Sequence, residues 1–161
     1  MGFHIVLHQP EIPQNTGNIS RTCVVTGATL HIIKPTGFEM SDRTVRRAGL
    51  DYWQYLKIFY YDDLKDFYAK NPNANIYYAS TKAPHCYSDI KFKDGDYIMF
   101  GKETKGLPED LLQREIDQTI RIPMGAHLRS LNLSNSVAVI LYEALRQTGF
   151  PILETKSDYL G

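Results

Sequence analysis

Short apolar runs alternate along this chain with stretches of helical periodicity, and that alternation limits the possible folds more than any other property. HIVLH (4–8), LHIIK (30–34), LKIFYY (56–61), NIYYAS (75–80), DYIMF (96–100) and QTIRIP (118–123) are rich in Ile, Val, Tyr and Phe and bounded by Gly, Pro, Asn or Asp. Runs of this kind predict strands. Helices are predicted between them, near 15–26, 41–49, 62–70, 108–114 and 133–148. Strands separated by helices pair in parallel, and a parallel sheet needs helices on both faces. The expectation is one α/β domain over 1–161, a mostly parallel sheet flanked by helices, with a weakly patterned and mobile tail at 152–161. No internal repeat, low-complexity tract or linker interrupts it.

Two helices can be bounded from side-chain chemistry. The first is expected to begin at Asn15 or Thr16, both able to cap, and to end at Gly27. Asn18 and Arg21 lie three apart on it and so share a face. The last helix can be capped by Asn132 or Ser134, and Gly149 with Pro151 stops it. Its stripe of Val137, Ile140, Leu141, Ala144 and Leu145 reads as core, or as core extended by a dimer interface.

The 161 residues can bury a sizeable core. No apolar run approaches the roughly 20 residues needed to cross a bilayer. The N-terminus MGFHIVLHQPE has neither a basic leader nor a long apolar stretch, so it reads as a first strand rather than a secretion signal. Cys23 and Cys86 have no metal-like spacing, and the five histidines are scattered, so no metal is expected. Cys23 is expected to be a small buried residue of a reduced, cytoplasmic protein. His85 and Cys86 are adjacent, an arrangement in which a base rarely points at its nucleophile. Lys and Arg total 18 and so do Asp and Glu. A protein of this balance binds nucleic acid only by concentrating positive charge locally. Arg43, Arg46 and Arg47 are such a concentration, with Arg21 and Lys34 upstream; the same arginines would also suit a solvated helix face.

From Phe100 to Glu143 the chain reads FGKETKGL, then IRIPM, then RSLNLSNSVAVILYEA: two glycine-bearing loops, a short apolar strand and a helix with a polar cap. Gly101 and Gly106 can admit close backbone approach or positive φ. This run resembles the C-terminal signature of the SPOUT methyltransferases, and HQPEIPQNTGNISRTCVVTGA resembles their first motif. With DRTVRRAGLDYW, the likeness extends to the small TrmL/YibK-like branch, tRNA 2′-O-methyltransferases of the wobble nucleotide. It covers the chain from about Ile5 to Pro151, with three motifs in order.

The resemblance implies a C-terminal deep trefoil knot, one of the few exceptions to the rule against knots. It implies S-adenosylmethionine as cofactor, the tRNA anticodon stem-loop as substrate, and a homodimer whose partner completes the substrate site. Three loops would hold the cofactor. Ala79, Ser80 and Thr81 would face its methionine or ribose end, although this branch often carries a larger aliphatic residue at position 79. Gly101, Glu103 and Gly106 come from the second loop, where Glu103 would lie beside the cofactor or pair with another loop. In the third, Ile122 and Leu131 would sandwich adenine, with Met124 and Ser130 between them. From the residues alone, Glu103 could equally pair with Lys102 or Lys105.

Arg21, oriented by Asn18, matches the arginine of the first motif. A guanidinium is a poor proton acceptor. Its implied role is to clamp an RNA phosphate and stabilise the developing alkoxide, while a phosphate oxygen or water takes the proton. A surface pairing with Glu11 remains open. Asn132, Ser134 and Asn135 fall where the third motif places polar groups near substrate, and all three are equally explained by capping. Arg43, Arg46, Arg47 and Tyr142 would contact RNA, with Tyr52 and Trp53 stacking on an unpaired base; Tyr142 also fits core or dimer interface. His127 is expected at the surface. Ribose methylation elsewhere in tRNA or rRNA, and a non-catalytic cofactor- and RNA-binding factor, remain alternatives. A flavodoxin-type nucleotide domain does not fit, because QPEIPQNTG after the first strand is too proline-rich for a phosphate cradle.

Overall fold

A computed structural model gives the fold; it describes every residue except Asp42, Gly49 and Arg129, and leaves aside the side chains of Arg46, Ala48, Leu50, Asp51 and Tyr52. Among the described residues six strands are formed: β1 His4–His8, β2 Thr29–Ile33, β3 Ile58–Tyr61, β4 Ile76–Ala79, β5 Tyr97–Phe100 and β6 Thr119–Ile120. The helices are α1 Pro13–Thr26, α2 Arg43–Ala48, α3 Leu64–Lys70, α4 Glu109–Arg114 and α5 Leu133–Gln147. The strands make one sheet in the order β3-β2-β1-β5-β4-β6. Every pairing is parallel. From β1 the chain builds outward to β2 and β3 on one side, then fills the other side with β5, β4 and β6.

The alternation of strand side chains divides the core into two layers. Ile5, Leu7, Leu30, Ile32, Ile98 and Phe100 pack against Ile19 and Cys23 of α1 and the stripe Val137, Ile140, Leu141, Ala144, Leu145 of α5. On the opposite face Val6, Ile33, Tyr61, Tyr78 and Met99 pack against Phe67 of α3 and Leu111 and Leu112 of α4. Cys23 is fully buried, which pushes its thiol pKa up and leaves it a packing residue. The short α2 packs against α1, with Val45 buried.

Several boundaries differ from the sequence expectation, and three of them have a clear physical cause. Helix α1 starts at Pro13, with Ile12 at the N-cap and no side-chain cap of its own. Proline fits a first helical turn because that N–H lacks an intrahelical partner anyway. Asn15 and Thr16 therefore lie inside the helix, both buried. Strand β3 starts at Ile58 because Leu56 is drawn back by its N–H bond to the Trp53 carbonyl, closing a 3₁₀ turn over Leu50–Tyr55. The run 118–123 yields only two strand residues, since β4 has ended at Ala79 and offers no further partner. Arg121 pairs instead with the loop at His85–Tyr87, donating to the His85 carbonyl and accepting from the Tyr87 N–H.

Helix ends follow the expected chemistry elsewhere. Gly27 closes α1 in the left-handed conformation, φ 77°. Asn132 caps α5, its side chain accepting from the Ser134 and Asn135 N–H groups. The segment after Gly149 is almost wholly exposed, with Ile152, Tyr159 and Leu160 in solvent.

Candidate active site

A cavity of about 450 Å³ lies beyond the C-terminal ends of β4, β5 and β6, a size typical of small-molecule sites. In parallel α/β sheets this edge is where ligands bind, because the loops there converge over the strand ends. Three loops wall it. The first, after β4, brings Ala79, Ser80 and Thr81; the second, after β5, brings Gly101, Glu103 and Gly106. The third, after β6, brings Ile122, Met124, Ser130 and Leu131, and leads into Asn132 and Leu133 at the start of α5. All ten residues expected to bind cofactor thus share one cavity.

Glycine at 101 is required by the chain itself. A Cβ there would lie 2.0 Å from the Gly106 carbonyl carbon and 2.1 Å from the Leu107 nitrogen. The 101–107 loop doubles back this tightly because Gly106 adopts φ 71° and donates its N–H to the Lys102 carbonyl at 2.8 Å. The freedom that the sequence suggested for a ligand's approach is spent here on folding the wall of the cavity.

Glu103 supplies the cap that α1 lacks. Its carboxylate accepts from the Glu11 N–H and the Ile12 N–H, each at 2.8 Å, and from Asn15 Nδ2 at 3.2 Å. A negative group at a helix N-terminus both fills unpaired N–H groups and sits favourably in the helix dipole. Glu11 answers in the other direction: its carboxylate accepts from the Thr104 hydroxyl at 2.8 Å and the Thr104 N–H at 3.1 Å. These two bonds are the main reason its pKa lies below the usual carboxylate range. The link continues through Asn15, whose Oδ1 accepts from Asn132 Nδ2 at 3.2 Å, while Asn132 Oδ1 takes the Ser134 hydroxyl at 2.6 Å as well as the α5 N–H groups. One polar chain therefore ties the second loop, the start of α1 and the start of α5 together beside the cavity. Glu103 pairs with another loop, as one of the expectations had it; Asn132 both caps α5 and lines the cavity, whereas Ser134 is bound by that cap and does not line the cavity.

Arg21 and Asn18 share the exposed face of α1 and do not line the cavity. Arg43 and Arg47 are exposed on α2; the Arg46 and Tyr52 side chains fall outside the described residues. Trp53 is half-buried, and Tyr142 is 42% exposed on α5. His127 is exposed, at φ 74°. His85 and Cys86 do not face each other: the imidazole Nδ1 meets the Thr119 carbonyl at 3.1 Å and the thiol meets the Ser88 hydroxyl at 3.2 Å. Sequence reasoning missed Asn15, Lys82, Lys102 and Arg121, which also line the cavity. Asn15 sits in the NTGN motif and was legible only as a cap; nothing in the sequence signals a partner 117 positions away.

The electrostatics of the site are one-sided. Lys82, Lys102, Lys105 and Arg121 line the cavity, and among the described lining residues the one carboxylate, Glu103, is turned toward α1. Its walls otherwise combine aliphatic side chains with hydroxyl and amide groups. Such a site suits an apolar ring with a polar, hydrogen-bonding edge, next to an anionic group.

Comparison with known proteins agrees with this geometry. The profile of the SpoU rRNA Methylase family matches residues 2–142. The tRNA (cytidine(34)-2′-O)-methyltransferase of Escherichia coli strain K12 is 49% identical, over 92% of this chain and 96% of its own. A structure solved for insight into the 2-OH methylation of C/U34 on tRNA superposes with a TM-score of 0.87 at 42% identity, covering 91% of this chain and 95% of that one. An AdoMet-bound rRNA methyltransferase from Sinorhizobium meliloti superposes with a TM-score of 0.81 at 25% identity, covering 90% of this chain and 56% of that one. With a parallel sheet, a cavity at its C-terminal edge and matches across nearly the whole length, this chain belongs to the SpoU methylase family.

Proposed function

We propose that this protein transfers the methyl group of S-adenosylmethionine to the ribose 2′-hydroxyl of the wobble nucleotide, cytidine or a modified uridine, in tRNA anticodon loops. The observation that carries the reading is the three-loop cavity at the strand ends, in a chain 49% identical over 92% of its length to a tRNA (cytidine(34)-2′-O)-methyltransferase. The residues present suit the cofactor. Ile122 and Leu131 offer apolar walls for adenine, and Ser80, Thr81 and Ser130 offer hydroxyls for ribose and the amino-acid end. The cofactor supplies an electrophilic methyl group; the protein supplies placement, which alone can remove many kcal/mol from a two-body reaction.

The C-terminal segment is threaded as a deep trefoil knot in this reading. The tight return of the 101–107 loop, which leaves no room for a side chain at 101, supports it. The protein works in the cytoplasm as a homodimer. Apolar side chains left exposed on the adjacent helices, Val25 on α1 and Val139 and Tyr142 on α5, support that association. Arg21 and Asn18, exposed on α1, then serve the partner's cavity, where the guanidinium would hold an RNA phosphate and steady the alkoxide as the hydroxyl passes its proton to a phosphate oxygen or water, the methyl transfer leaving S-adenosylhomocysteine. Arg43, Arg46 and Arg47 grip the stem-loop backbone.

Labelled S-adenosylmethionine incubated with unmodified total tRNA, followed by nuclease digestion and mass-spectrometric mapping, tests the reading. Label in 2′-O-methylated cytidine or uridine at the wobble position is expected. Cofactor binding without label, in a tRNA pool lacking the modification, refutes the assignment. Arg21→Ala is expected to abolish turnover and leave cofactor affinity within about twofold.

A further inference from the structure

A second cleft, about 420 Å³, adjoins the cavity. It lies between the end of β1, at His8 and Gln9, and the loop from Lys102 to Glu109. Lys82, Lys102 and Lys105 line both depressions, so the two share a basic rim. The chain as a whole has balanced charge, 18 against 18, so this concentration does not follow from a basic composition. The nearby carboxylates are accounted for. Glu109 pairs with Lys82 at 2.7 Å, and Glu11, though within the field of Lys102 and Lys105, directs Oε1 to Thr104. No ion pair to Lys102 or Lys105 is formed among the described residues within 4.0 Å.

His8 adds a polar group at the same place. It is only 6% exposed, and its Nδ1 has no hydrogen-bond partner among the described residues. Burial, and then the charge of Lys102, lower its pKa. Held toward its neutral form, the ring leaves the cleft's positive charge to the lysines.

We propose that this cleft holds a phosphate of the RNA strand next to the nucleotide being methylated, with Lys102 and Lys105 as its charge partners. The inference rests on the function proposed above and names a substrate subsite of the same centre. A strand whose ribose enters the cavity must place a neighbouring phosphate near its rim, and the shared lysines are where that charge is met. Contacts of this kind set register rather than read sequence. They would position the ribose from the side of the sheet opposite to α2.

The test uses the full-length protein and a wobble-unmodified anticodon stem-loop RNA, comparing wild type with Lys102→Ala/Lys105→Ala and Lys105→Arg. RNA affinity is measured against potassium chloride concentration, and S-adenosylmethionine affinity by calorimetry. The double variant is expected to bind RNA roughly fivefold more weakly near 0.1 M salt, with the log–log salt slope flatter by about 0.7, as for one phosphate contact on a single strand. Lys105→Arg is expected to stay within about twofold of wild type, because the charge remains. Unchanged RNA affinity and slope overturn the proposal, and so does an equal loss of cofactor affinity, which would assign the cleft to the cofactor's carboxylate. Wild type separates the two levels: if it neither binds nor methylates tRNA, the proposed function fails, whereas an active wild type with an unimpaired double variant fails the cleft alone.

Discussion

Replacing Glu103 with alanine probes the bond between the second loop and the start of α1. Three hydrogen bonds to a carboxylate are lost, at 2.8, 2.8 and 3.2 Å. Loss of an N-cap costs about 1 kcal/mol, and a charge in the helix dipole contributes up to about 1 more. Bonds to a charged group lie at the upper end of the hydrogen-bond range, but Glu103 is half-exposed and water can replace part of what is removed. The expected loss is about 2 kcal/mol, which for a chain of this length lowers Tm by about 4–8 °C. Glu103→Gln keeps one acceptor and loses the charge, so it should cost about half as much. Urea unfolding followed by circular dichroism gives the free energies, and scanning calorimetry the Tm. Because Asn15 and Asn132 are linked through the same group, cofactor affinity should fall in the order wild type, Gln, Ala. If Glu103→Ala unfolds within about 0.3 kcal/mol of wild type, α1 is not capped by this carboxylate and the reasoning fails.

Two other expectations rest on separate features. Gly101→Ala should destabilise by about 3 kcal/mol and abolish cofactor binding, since its Cβ meets backbone at 2.0 Å, while Gly125→Ala, whose Cβ meets among the described residues only Leu128 Cδ1, at 3.4 Å, should stay near wild type; equal Tm values for the two variants would refute the close approach. Stability should fall in mild acid. His31 is 2% exposed between His4 and the Tyr61 hydroxyl, at 2.8 Å from each, and burial followed by the His4 ring lowers its pKa to about 3. The folded state therefore binds fewer protons than the unfolded state, where the pKa is about 6.5, and stability is full above that value and declines toward pH 3. Between pH 7.5 and pH 5 the loss from this residue is about 2 kcal/mol, and His4 and His8, also lowered by burial, act in the same direction. Urea midpoints at the two pH values check it: equal midpoints contradict the buried neutral ring, and His31→Gln should show a loss smaller by about 2 kcal/mol.

The α/β class, the sequence positions of the strands and both layers of the core were readable in the sequence because each depends on local periodicity. Alternation places Ile5 and Leu7 opposite Val6, and the 3.6-residue stripe buries Val137 to Leu145 on α5. The three loops that wall the cavity were readable through the order of their motifs rather than through any physical rule. Boundaries were less so. The run 118–123 has strand composition throughout, yet only Thr119 and Ile120 pair, because the neighbouring strand is short.

What tertiary structure decided is the use made of each polar residue. Asn15 looks like a cap in the sequence and becomes a buried link between Glu103 and Asn132. Glu103 has lysines on either side in the chain and instead caps a helix 91 residues away. A hydrogen-bonding side chain has several partners of nearly equal local merit, and the choice falls to whichever group the folded backbone brings within hydrogen-bonding distance. Apolar side chains need only a face to be buried on, which their own spacing specifies; polar ones need a particular atom, and only the assembled chain supplies it.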